Sequence, residues 1–336
     1  MSTSELPHIL VTGAAGFIAQ QLIERYLQPL VAQGRIRLTL TDVQAAHDIP
    51  PGVRWVSGDL TQAALWQELM NTPVHQVFHL AAIVSGPAER DYPLGLDVNL
   101  HATQHGLDQA RQQFVNGGPK VQWLFASSIA VFGIDLPRQV SDQTPVHPHL
   151  SYGTHKRMLE LMIHDLSRRG ELDGRCLRLS GVVVRPQAPN GALSGFNSDI
   201  IREPLQGRAF VCPVTPQACI WLCSTQSTID QLWQLSQIPF DAWQSTVHKH
   251  RTDGVVNAPT WPVKVDALID ALGTIDPRAP ALISFDPAAP LQAQFGNWPE
   301  TVDFALAADL GLADDRLIHQ HDLSAFVRHC IGHDAR

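Results

Sequence analysis

Tyr152 and Lys156 carry side chains that could move a proton together. They are four residues apart at the start of a long segment with helical apolar spacing, so we expect them one turn apart on one face of a helix. An ammonium group beside a phenol favours the phenolate and lowers the pKa of the phenol, which is near 10 when free. Such a tyrosine can take the proton of a substrate alcohol while hydride leaves the carbon. A solvated helix face is the alternative interpretation of this pair.

Two serines could complete a site with this pair. Ser127 and Ser128 follow Val121–Ala126, an apolar segment that is predicted to be a strand. Ligands bind at the carboxyl ends of the strands in parallel sheets, so a serine hydroxyl placed there could hold a substrate oxygen.

A glycine turn joins the first predicted strand to the helix after it. Ile9–Thr12 runs directly into Gly13 and Gly16, and Phe17 and Ile18 follow at the start of the helix. Gly13 permits a tight turn, Gly16 has no Cβ that would block a pyrophosphate, and the first helical N–H groups point at the anion. The turn predicts a dinucleotide site. A plain strand–helix turn, which also favours glycine, is the alternative.

Asp42 ends the second predicted strand and bears on the choice of dinucleotide. A carboxylate at this position can accept hydrogen bonds from the adenosine ribose, and it repels a 2′-phosphate. No arginine follows directly, since Val43 and Gln44 come next. The pattern therefore predicts NAD rather than NADP, although an ordinary turn aspartate would look the same.

The next two predicted strands end in residues that suit the rest of the nucleotide. Asp59 and Leu60 follow the third strand, where a carboxylate could meet the adenine amino group or, equally well, cap the following helix. Leu80, Ala81 and Ala82 end the fourth strand, and the small side chains there let a nucleotide lie against the backbone.

The elements that must position these residues alternate between short apolar strands and longer helical segments. Ile36, Leu38 and Leu40 alternate with polar residues, a period of two that indicates a strand. The alternation predicts an α/β fold with a doubly wound parallel Rossmann sheet, which Cys176–Leu179 and Val182–Val184 are expected to continue. Prolines and longer loops follow from about Arg185. We therefore expect an NAD-binding domain at residues 1–184 and a smaller mixed lobe at 185–336, with some strands returning to the main sheet.

Composition excludes several classes of protein. The 336 residues are 44% hydrophobic, which excludes a mainly disordered chain, and the net charge is −8 without a basic stripe, which argues against nucleic-acid and membrane-surface binding. No apolar run is long enough to span a bilayer, and the amino-terminal segment does not have the pattern of a secretory signal. Five cysteines without a C-x-x-C pair predict reduced core thiols in a cytoplasmic protein.

Other kinds of catalytic site are not supported. Three His-x-His pairs occur without a carboxylate or cysteine partner at suitable spacing, so no metal is predicted and solvated loop histidines are favoured: His147/His149, His248/His250 and His319/His321. There is no Gly-x-Ser-x-Gly elbow of a serine hydrolase and no P-loop.

Taken together, these motifs resemble the extended short-chain dehydrogenase/reductase family from His8 to about Ile331. The matching blocks are Thr12–Ile18, Phe78–Ala82, Asn99, Ser127–Gly133 and Ser151–Lys156. The resemblance implies a Ser128, Tyr152 and Lys156 active site on bound NAD, with Asn99 in the position of the family's structural asparagine. It also implies that Asn99, Tyr152 and Lys156 contact the cofactor, and that Ser128 and Tyr152 hold the substrate oxygen.

A second set of segments resembles a branch of this family that oxidises C2 of a four-carbon sugar acid with NAD. It comprises Val84–Glu89, Leu177–Leu179, Val182–Pro186, Asn190–Phe196, Ile201–Leu205, Val211–Val214 and Trp298–Pro299. A carboxylate substrate needs hydrogen-bond donors or a cation. Ser85, Arg185 and Asn197 are the candidates, with Asn190 and Ser194 nearby, and a structural ion pair is the alternative role for Arg185.

Two other functions compete with this dehydrogenase. A nucleotide-sugar epimerase or dehydratase with tightly bound NAD would need cations for a diphosphate, but beyond Arg185 the second lobe has few of them, Arg202 and Arg208 and then none until Lys249. A catalytically inactive NAD-sensing protein would be expected to have lost the tyrosine–lysine pair, which is intact here.

The apolar residues of the helix that carries Tyr152 and Lys156 also bear on whether the protein forms a dimer. Leu159, Met162, Ile163 and Leu166 form one apolar stripe, and Met158 and Leu161 add a second. One stripe packs on the sheet, so the second predicts a homodimer through the Asp97–Phe114 and Tyr152–Ser167 helices, or else a deeper core.

Overall fold

A computed structural model describes residues 6–45, 49–187 and 191–334, so Asn190 lies outside the described residues. The strands, in chain order, are β1 His8–Thr12, β2 Arg37–Asp42, β3 Val53–Ser57, β4 Gln76–His79, β5 Gln122–Ser128, β6 Gln139–Val140, β7 Asp173–Leu179, β8 Gly181–Val183, β9 Phe210–Cys212, β10 Cys219–Ser224, β11 Val255–Asn257, β12 Trp261–Lys264, β13 Ile283–Phe285 and β14 Thr301–Val302.

Helices connect these strands. They are α1 Phe17–Leu22, α2 Gln28–Ala32, α3 Ala63–Leu69, α4 Ser85–Arg90, α5 Tyr92–Gly95, α6 Ala102–Val115, α7 Ser151–Arg168, α8 Phe196–Leu205, α9 Thr225–Gln237, α10 Phe240–His250, α11 Val265–Ile275, α12 Ala289–Phe295, α13 Ala305–Asp309, α14 Asp315–Ile318 and α15 Leu323–Asp334. Single π-helical stretches join α1 to α2 and α5 to α6, and short 3₁₀ turns occur at Ile129–Val131, Leu193–Gly195 and Ala279–Leu282.

The main sheet confirms the predicted doubly wound architecture. Within the described residues it has seven parallel strands in the order β11-β7-β5-β4-β1-β2-β3. All five residues of β1 are buried; Ile9 and Val11 pack into the core on one face, and Leu10 packs into the core on the other. Alternate residues of a strand point to opposite faces, so a continuous apolar run is what a sheet covered on both sides requires.

The strand order reverses beside β1, and that reversal positions the site. The chain leaves β1 towards β2 on one side and continues from β4 to β5 on the other. A crevice forms at the carboxyl ends of strands at such a switch point. The glycine turn after β1 and the small residues after β4 both lie there.

One predicted element of the main sheet is placed elsewhere. Val182–Val184 was expected to continue the parallel sheet, but β8 pairs with β10 in a three-stranded sheet that also contains β12. The chain leaves the main sheet after Leu179, and β11 takes the place beside β7 instead. This strand from the second half of the chain therefore returns to the main sheet, while the division of domains at residue 184 stays a prediction. No helix of the described residues is long and apolar enough to cross a membrane.

Candidate active site

A cavity of about 240 Å³ at the carboxyl ends of β4 and β5 collects most of the predicted site residues. Its lining comes from the ends of β4 and β5, from α7 and from residues of the second half of the chain. Among its lining residues are the cofactor candidates Ile18, Leu80 and Ala82, the reactive group Ser128, Tyr152 and Lys156, and the substrate candidates Ser85, Arg185 and Asn197. Residues from distant parts of the chain are thus brought to one place, as the sequence predicts.

Lys156 is fixed inside this cavity by the strand below it. Its Nζ donates a hydrogen bond to the carbonyl oxygen of Ala126 at 2.7 Å and lies 4.5 Å from the ring centre of Phe125 and 5.6 Å from that of Tyr152. Burial lowers the pKa of the Lys156 ammonium to about 8, although Cys176 and Glu160 oppose the shift. Lys156 is therefore firmly placed, and with a pKa of about 8 it still carries its positive charge at neutral pH.

The expectation that Lys156 makes Tyr152 acidic is wrong for the protein alone. Burial raises the pKa of Tyr152 to about 12, while a hydrogen bond with Ser128 and the charge of Arg185 pull the pKa in the opposite direction. Removing water from a phenol disfavours the charged form, and here that effect exceeds the others. The phenolate thus needs further positive charge in the cavity before it can form near neutral pH.

The two serines have different surroundings, which support Ser128 as the substrate-facing one. Ser128 Oγ accepts a hydrogen bond from Ala130 N at 3.1 Å and interacts with the Tyr152 hydroxyl. Ser127 Oγ instead donates to the buried carboxylate of Glu160 at 2.6 Å. Ser127 is therefore engaged with the helix, while Ser128 and Tyr152 can share one substrate oxygen.

The glycine turn has the shape that a dinucleotide requires. Gly13 has a φ of +69°, and a Cβ there would lie 2.7 Å from the backbone of Ala81, so only glycine fits against the end of β4. Gly16 directly precedes α1, whose first N–H groups have no partner within the helix. Phe17 lines a different cleft together with Val183 and Thr225.

The acidic candidates come at the end of β2 and just after β3, on one side of β1 in the sheet. Asp42 accepts hydrogen bonds from Ala15 N at 3.0 Å and Gln44 N at 3.1 Å, so its carboxylate is held beside the turn. Asp59 accepts from Thr61 N at 2.9 Å in the turn before α3, but Gln62 is the N-cap of that helix, so the alternative of Asp59 as its cap is not seen. Leu60 is buried in the core.

Asn99 belongs to a buried hydrogen-bonded chain rather than to the lining of the cavity. Its side-chain amide clamps both backbone groups of Ile83, and its backbone carbonyl oxygen accepts from Thr103 Oγ1 at 2.8 Å. His79 then links Thr103 at 2.8 Å to Thr12 at 2.9 Å, directly before the glycine turn. The chain fixes the cofactor turn and the strand end that leads to Ser85 relative to each other, a positioning role for Asn99.

His79 should make the free energy of unfolding depend on pH. Burial, helped by the charge of Lys156, lowers the pKa of His79 to about 3, so the unfolded chain takes up this proton near pH 6.5 and the folded protein does not. Stability is therefore complete above pH 6.5 and is lost as the pH falls towards 3. Between pH 7 and 4.5 the loss from this group should be about 2–3 kcal/mol.

Urea unfolding at the two pH values checks this. The variant His79→Asn should be less stable at pH 7 but should lose less on acidification than the unsubstituted protein. His101→Asn, on a partly exposed side chain, is the control and should keep the full loss. Equal losses in all three proteins would contradict the assignment.

The substrate candidates offer groups suited to an acid. Ser85 Oγ accepts from Leu193 N at 3.3 Å, and Arg185 Nη2 donates to the carbonyl of Ser194 at 3.1 Å. Among the described residues no carboxylate lies within ion-pair distance of Arg185, so the predicted alternative of a structural ion pair is not seen there. Burial lowers the pKa of this guanidinium, with Asp199 and Tyr152 acting in the other direction. A buried guanidinium without a carboxylate partner is stabilised when an anion binds to it.

The side-chain oxygen of Asn197 is an unsatisfied hydrogen-bond acceptor among the described residues. The residue is only 3% exposed, and its Oδ1 has no hydrogen-bond partner among the described residues. Unsatisfied buried acceptors are rare and costly, so such an atom in a ligand cavity indicates a position for a ligand hydroxyl.

The cavity also contains residues that were not predicted. Four of them come from the second half of the chain: Ile220, Trp221, Phe295 and Trp298. Trp298 belongs to a segment that carries the family resemblance, but in the sequence Trp221 looks like an ordinary core residue of a strand.

The His-x-His pairs lie in a loop, at the end of α10 and around the turn after α14. In the part of the chain that is described, no three His, Cys, Asp or Glu side chains gather as metal ligands.

Comparisons with known proteins agree with this geometry. The model of the NAD dependent epimerase/dehydratase family matches residues 9–218. The D-erythronate dehydrogenase of Cupriavidus necator is 39% identical over 92% of this chain and 94% of its own, and that of Haemophilus influenzae is 34% identical over 91% and 95%. The crystal structure of a nucleoside-diphosphate-sugar epimerase from Agrobacterium tumefaciens has a TM-score of 0.84 and 32% identity, covering 97% of this chain and 94% of that one. The chain thus belongs to the NAD-dependent epimerase/dehydratase family and is an NAD-dependent oxidoreductase acting on CH–OH groups.

Proposed function

We propose that this enzyme oxidises the C2 hydroxyl of D-erythronate to give 2-dehydro-D-erythronate. The observation that carries the proposal is the buried guanidinium of Arg185, without a carboxylate partner among the described residues, in the same cavity as Ser128 and Tyr152. A substrate with a carboxylate next to the reacting carbinol suits those two features at once. The two relatives named D-erythronate dehydrogenase support the choice of acid.

Each side chain has a defined part in the reaction. Arg185 binds the carboxylate, Asn197 Oδ1 accepts from a substrate hydroxyl, and Ser128 orients the C2 oxygen. Tyr152 Oη takes the proton of that hydroxyl as the C2 hydride departs. Lys156 holds the cofactor ribose and adds positive charge near the phenol. When bound, oxidised NAD supplies a positively charged ring that accepts the hydride.

The proposal can be tested by incubating the enzyme and NAD with one candidate substrate at a time and following the absorbance of NADH. D-Erythronate should give a steady increase at 340 nm, L-threonate a weaker one, and UDP-glucose none. Turnover of the nucleotide sugar alone, or no NADH from either acid, would overturn it.

The contacts of the second lobe argue against the nucleotide-sugar alternative. Arg202 pairs with Asp199 and Glu203, and Arg208 also pairs with Glu203, so neither guanidinium is available for a diphosphate. The cavity of about 240 Å³ is also smaller than the roughly 300–1,000 Å³ of sites for drug-sized ligands. A small acid fits these limits better. The intact Ser128, Tyr152 and Lys156 group argues against an inactive NAD sensor.

Replacing Asp42 should change the choice of cofactor. Asp42→Ala removes a negative charge where a 2′-phosphate would lie, so the preference for NAD over NADP in kcat/KM should narrow by about tenfold, since one such charge contact is worth on the order of 1–4 kcal/mol. Asp42→Asn keeps an acceptor for Ala15 N without the charge and should show the same narrowing. Asp59→Ala is the control, and an unchanged preference in both Asp42 variants would refute the ribose assignment.

We further propose that the enzyme is a homodimer through the helices at α6 and α7, and that it works in the cytoplasm. On α7, Leu159 and Ile163 are buried against the sheet, whereas Met158 and Leu161 are 41% and 46% exposed. An apolar pair left in water on an ordered helix supports a partner helix there.

Light scattering after size-exclusion chromatography tests the assembly. The unsubstituted protein should have the mass of a dimer, and Leu161→Glu should have the mass of a monomer. Leu317→Glu introduces the same charge at an exposed leucine on α14 and should stay dimeric. A monomeric parent protein, or a dimeric Leu161→Glu, would contradict this interface.

A further inference from the structure

The cavity has two chemically different walls. The groups already assigned to the substrate are polar and come from α4, the end of β5, α7, the loop after β8, and α8. The remaining wall comes from the second lobe and is apolar: it consists of Ile220, Trp221, Phe295 and Trp298. The mechanism above uses only the polar wall, which leaves the apolar wall without a role.

Trp221 is the most firmly held residue of the apolar wall. It is only 2% exposed, and its Nε1 donates to the carbonyl oxygen of Pro299 at 2.8 Å. Its ring lies 4.7 Å from that of Trp298 and makes an edge contact with Phe132 at 6.4 Å. The single donor of the indole is thus already used, so Trp221 offers the cavity carbon atoms only.

The wall also lies close to the polar groups. A Cβ on Gly181 would be 2.6 Å from both Asn197 Nδ2 and the carbonyl oxygen of Trp221, so the asparagine side chain and the tryptophan backbone meet across this glycine. β8 and β10 hold this arrangement, since Gly181 pairs with Leu222, the residue after Trp221. The tryptophan therefore borders the part of the cavity where Asn197 would bind a hydroxyl.

A longer sugar acid would meet this wall. With the carboxylate at Arg185 and C2 at Tyr152, a carbon beyond C4 that extends towards these apolar side chains brings a hydroxyl against them, and a buried hydroxyl without a partner is disfavoured. The indole cannot turn aside, because Pro299, Trp298 and Phe132 hold it on three sides and closely packed interiors yield little.

We propose that Trp221, supported by Trp298, limits the substrate to acids of four carbons. This inference rests on the proposed oxidation of D-erythronate and adds what excludes its longer homologues. Trp221 is a specificity-determining residue and takes no part in the proton transfer.

The test compares D-erythronate, D-ribonate and D-allonate, acids of four, five and six carbons whose hydroxyls all lie on one side of the Fischer projection. The unsubstituted enzyme should prefer the four-carbon acid in kcat/KM by at least 100-fold. Trp221→Ala should raise the ratio for D-ribonate over D-erythronate at least tenfold, chiefly through KM for the longer acid. Trp221→Phe, which keeps a smaller ring, should give an intermediate ratio.

Controls separate this inference from the proposed function. Trp233→Ala removes an indole that stacks on Tyr26, away from the lining of the cavity, and should leave the ratio unchanged. If Trp221→Ala does not fold, Trp298→Ala and Trp221→Phe carry the same test. An unchanged ratio in folded variants that still oxidise D-erythronate overturns the role of Trp221 alone, whereas no oxidation of D-erythronate by the unsubstituted enzyme overturns the proposed function and this inference together.

Discussion

Tyr152→Phe should lower kcat for the oxidation of D-erythronate by about 10²–10⁴-fold, because the substitution removes the only group assigned to take the C2 proton. NAD affinity should remain nearly unchanged, since the turn at Gly13 and the position of Lys156 do not depend on the phenol oxygen. Lys156 is held by Ala126 O, and the substituted side chain would keep an aromatic ring beside it. Steady-state kinetics and a fluorescence titration with NAD measure the two effects.

Tyr92→Phe is the matched control for this variant. Tyr92 is an exposed phenol on α5 and should tolerate the same loss of a hydroxyl without a change in kcat. Loss of NAD binding in Tyr152→Phe, or retention of most of the activity, would contradict the assigned role of Tyr152.

A buried ion pair between Glu160 and Arg178 should contribute strongly to the stability of the folded protein. Glu160 is completely buried on α7, and it accepts hydrogen bonds from Arg178 Nε at 2.9 Å and Nη2 at 2.8 Å, as well as from Ser127. Arg178 also donates to Asn257 on β11. The pair therefore ties the catalytic helix to β5, β7 and the strand that returns from the second half of the chain.

Arg178→Met should lower the free energy of unfolding by about 3–5 kcal/mol, because the buried Glu160 carboxylate loses two hydrogen bonds and keeps only Ser127 and the partly exposed Arg157 as partners. The double variant Arg178→Met/Glu160→Leu should regain much of the loss, since removing both charges also removes the cost of burying them. Urea unfolding of the two single variants and the double variant gives the coupling between the residues.

Arg54→Met, which breaks the exposed pair with Glu68, is the control and should cost less than about 1 kcal/mol. A similarly small cost for Arg178→Met, or a double variant no more stable than that single one, would contradict the structural role of the buried pair.

Local patterns account for what the sequence predicted well. The turn at Gly13 and Gly16, the spacing of Tyr152 and Lys156, and the period of two in β2 are set by residues close together in the chain. Steric limits on φ and the repeat of a helix or strand act at that range. The parallel sheet follows because alternating strands and helices have few ways to bury their apolar faces.

The features that the sequence did not predict all depend on contacts between distant segments. β8 leaves the main sheet because β10, some 40 residues later, offers a parallel partner. Trp221 enters the cavity only through the packing of the second lobe on the main sheet. The raised pKa of Tyr152 results from burial, which the spacing to Lys156 does not reveal. The pairing of Glu160 with Arg178 likewise joins a helix to a strand.

In the proposed reaction, hydride leaves C2 of a small hydroxy acid while Tyr152 takes the proton. D-Erythronate labelled with deuterium at C2 tests it most directly, with the NADH product analysed by mass spectrometry and proton NMR. The label should appear at C4 of the nicotinamide ring, and single-turnover oxidation should slow by a primary isotope effect. NADH formed without deuterium would show that another carbon loses the hydride and would contradict the account.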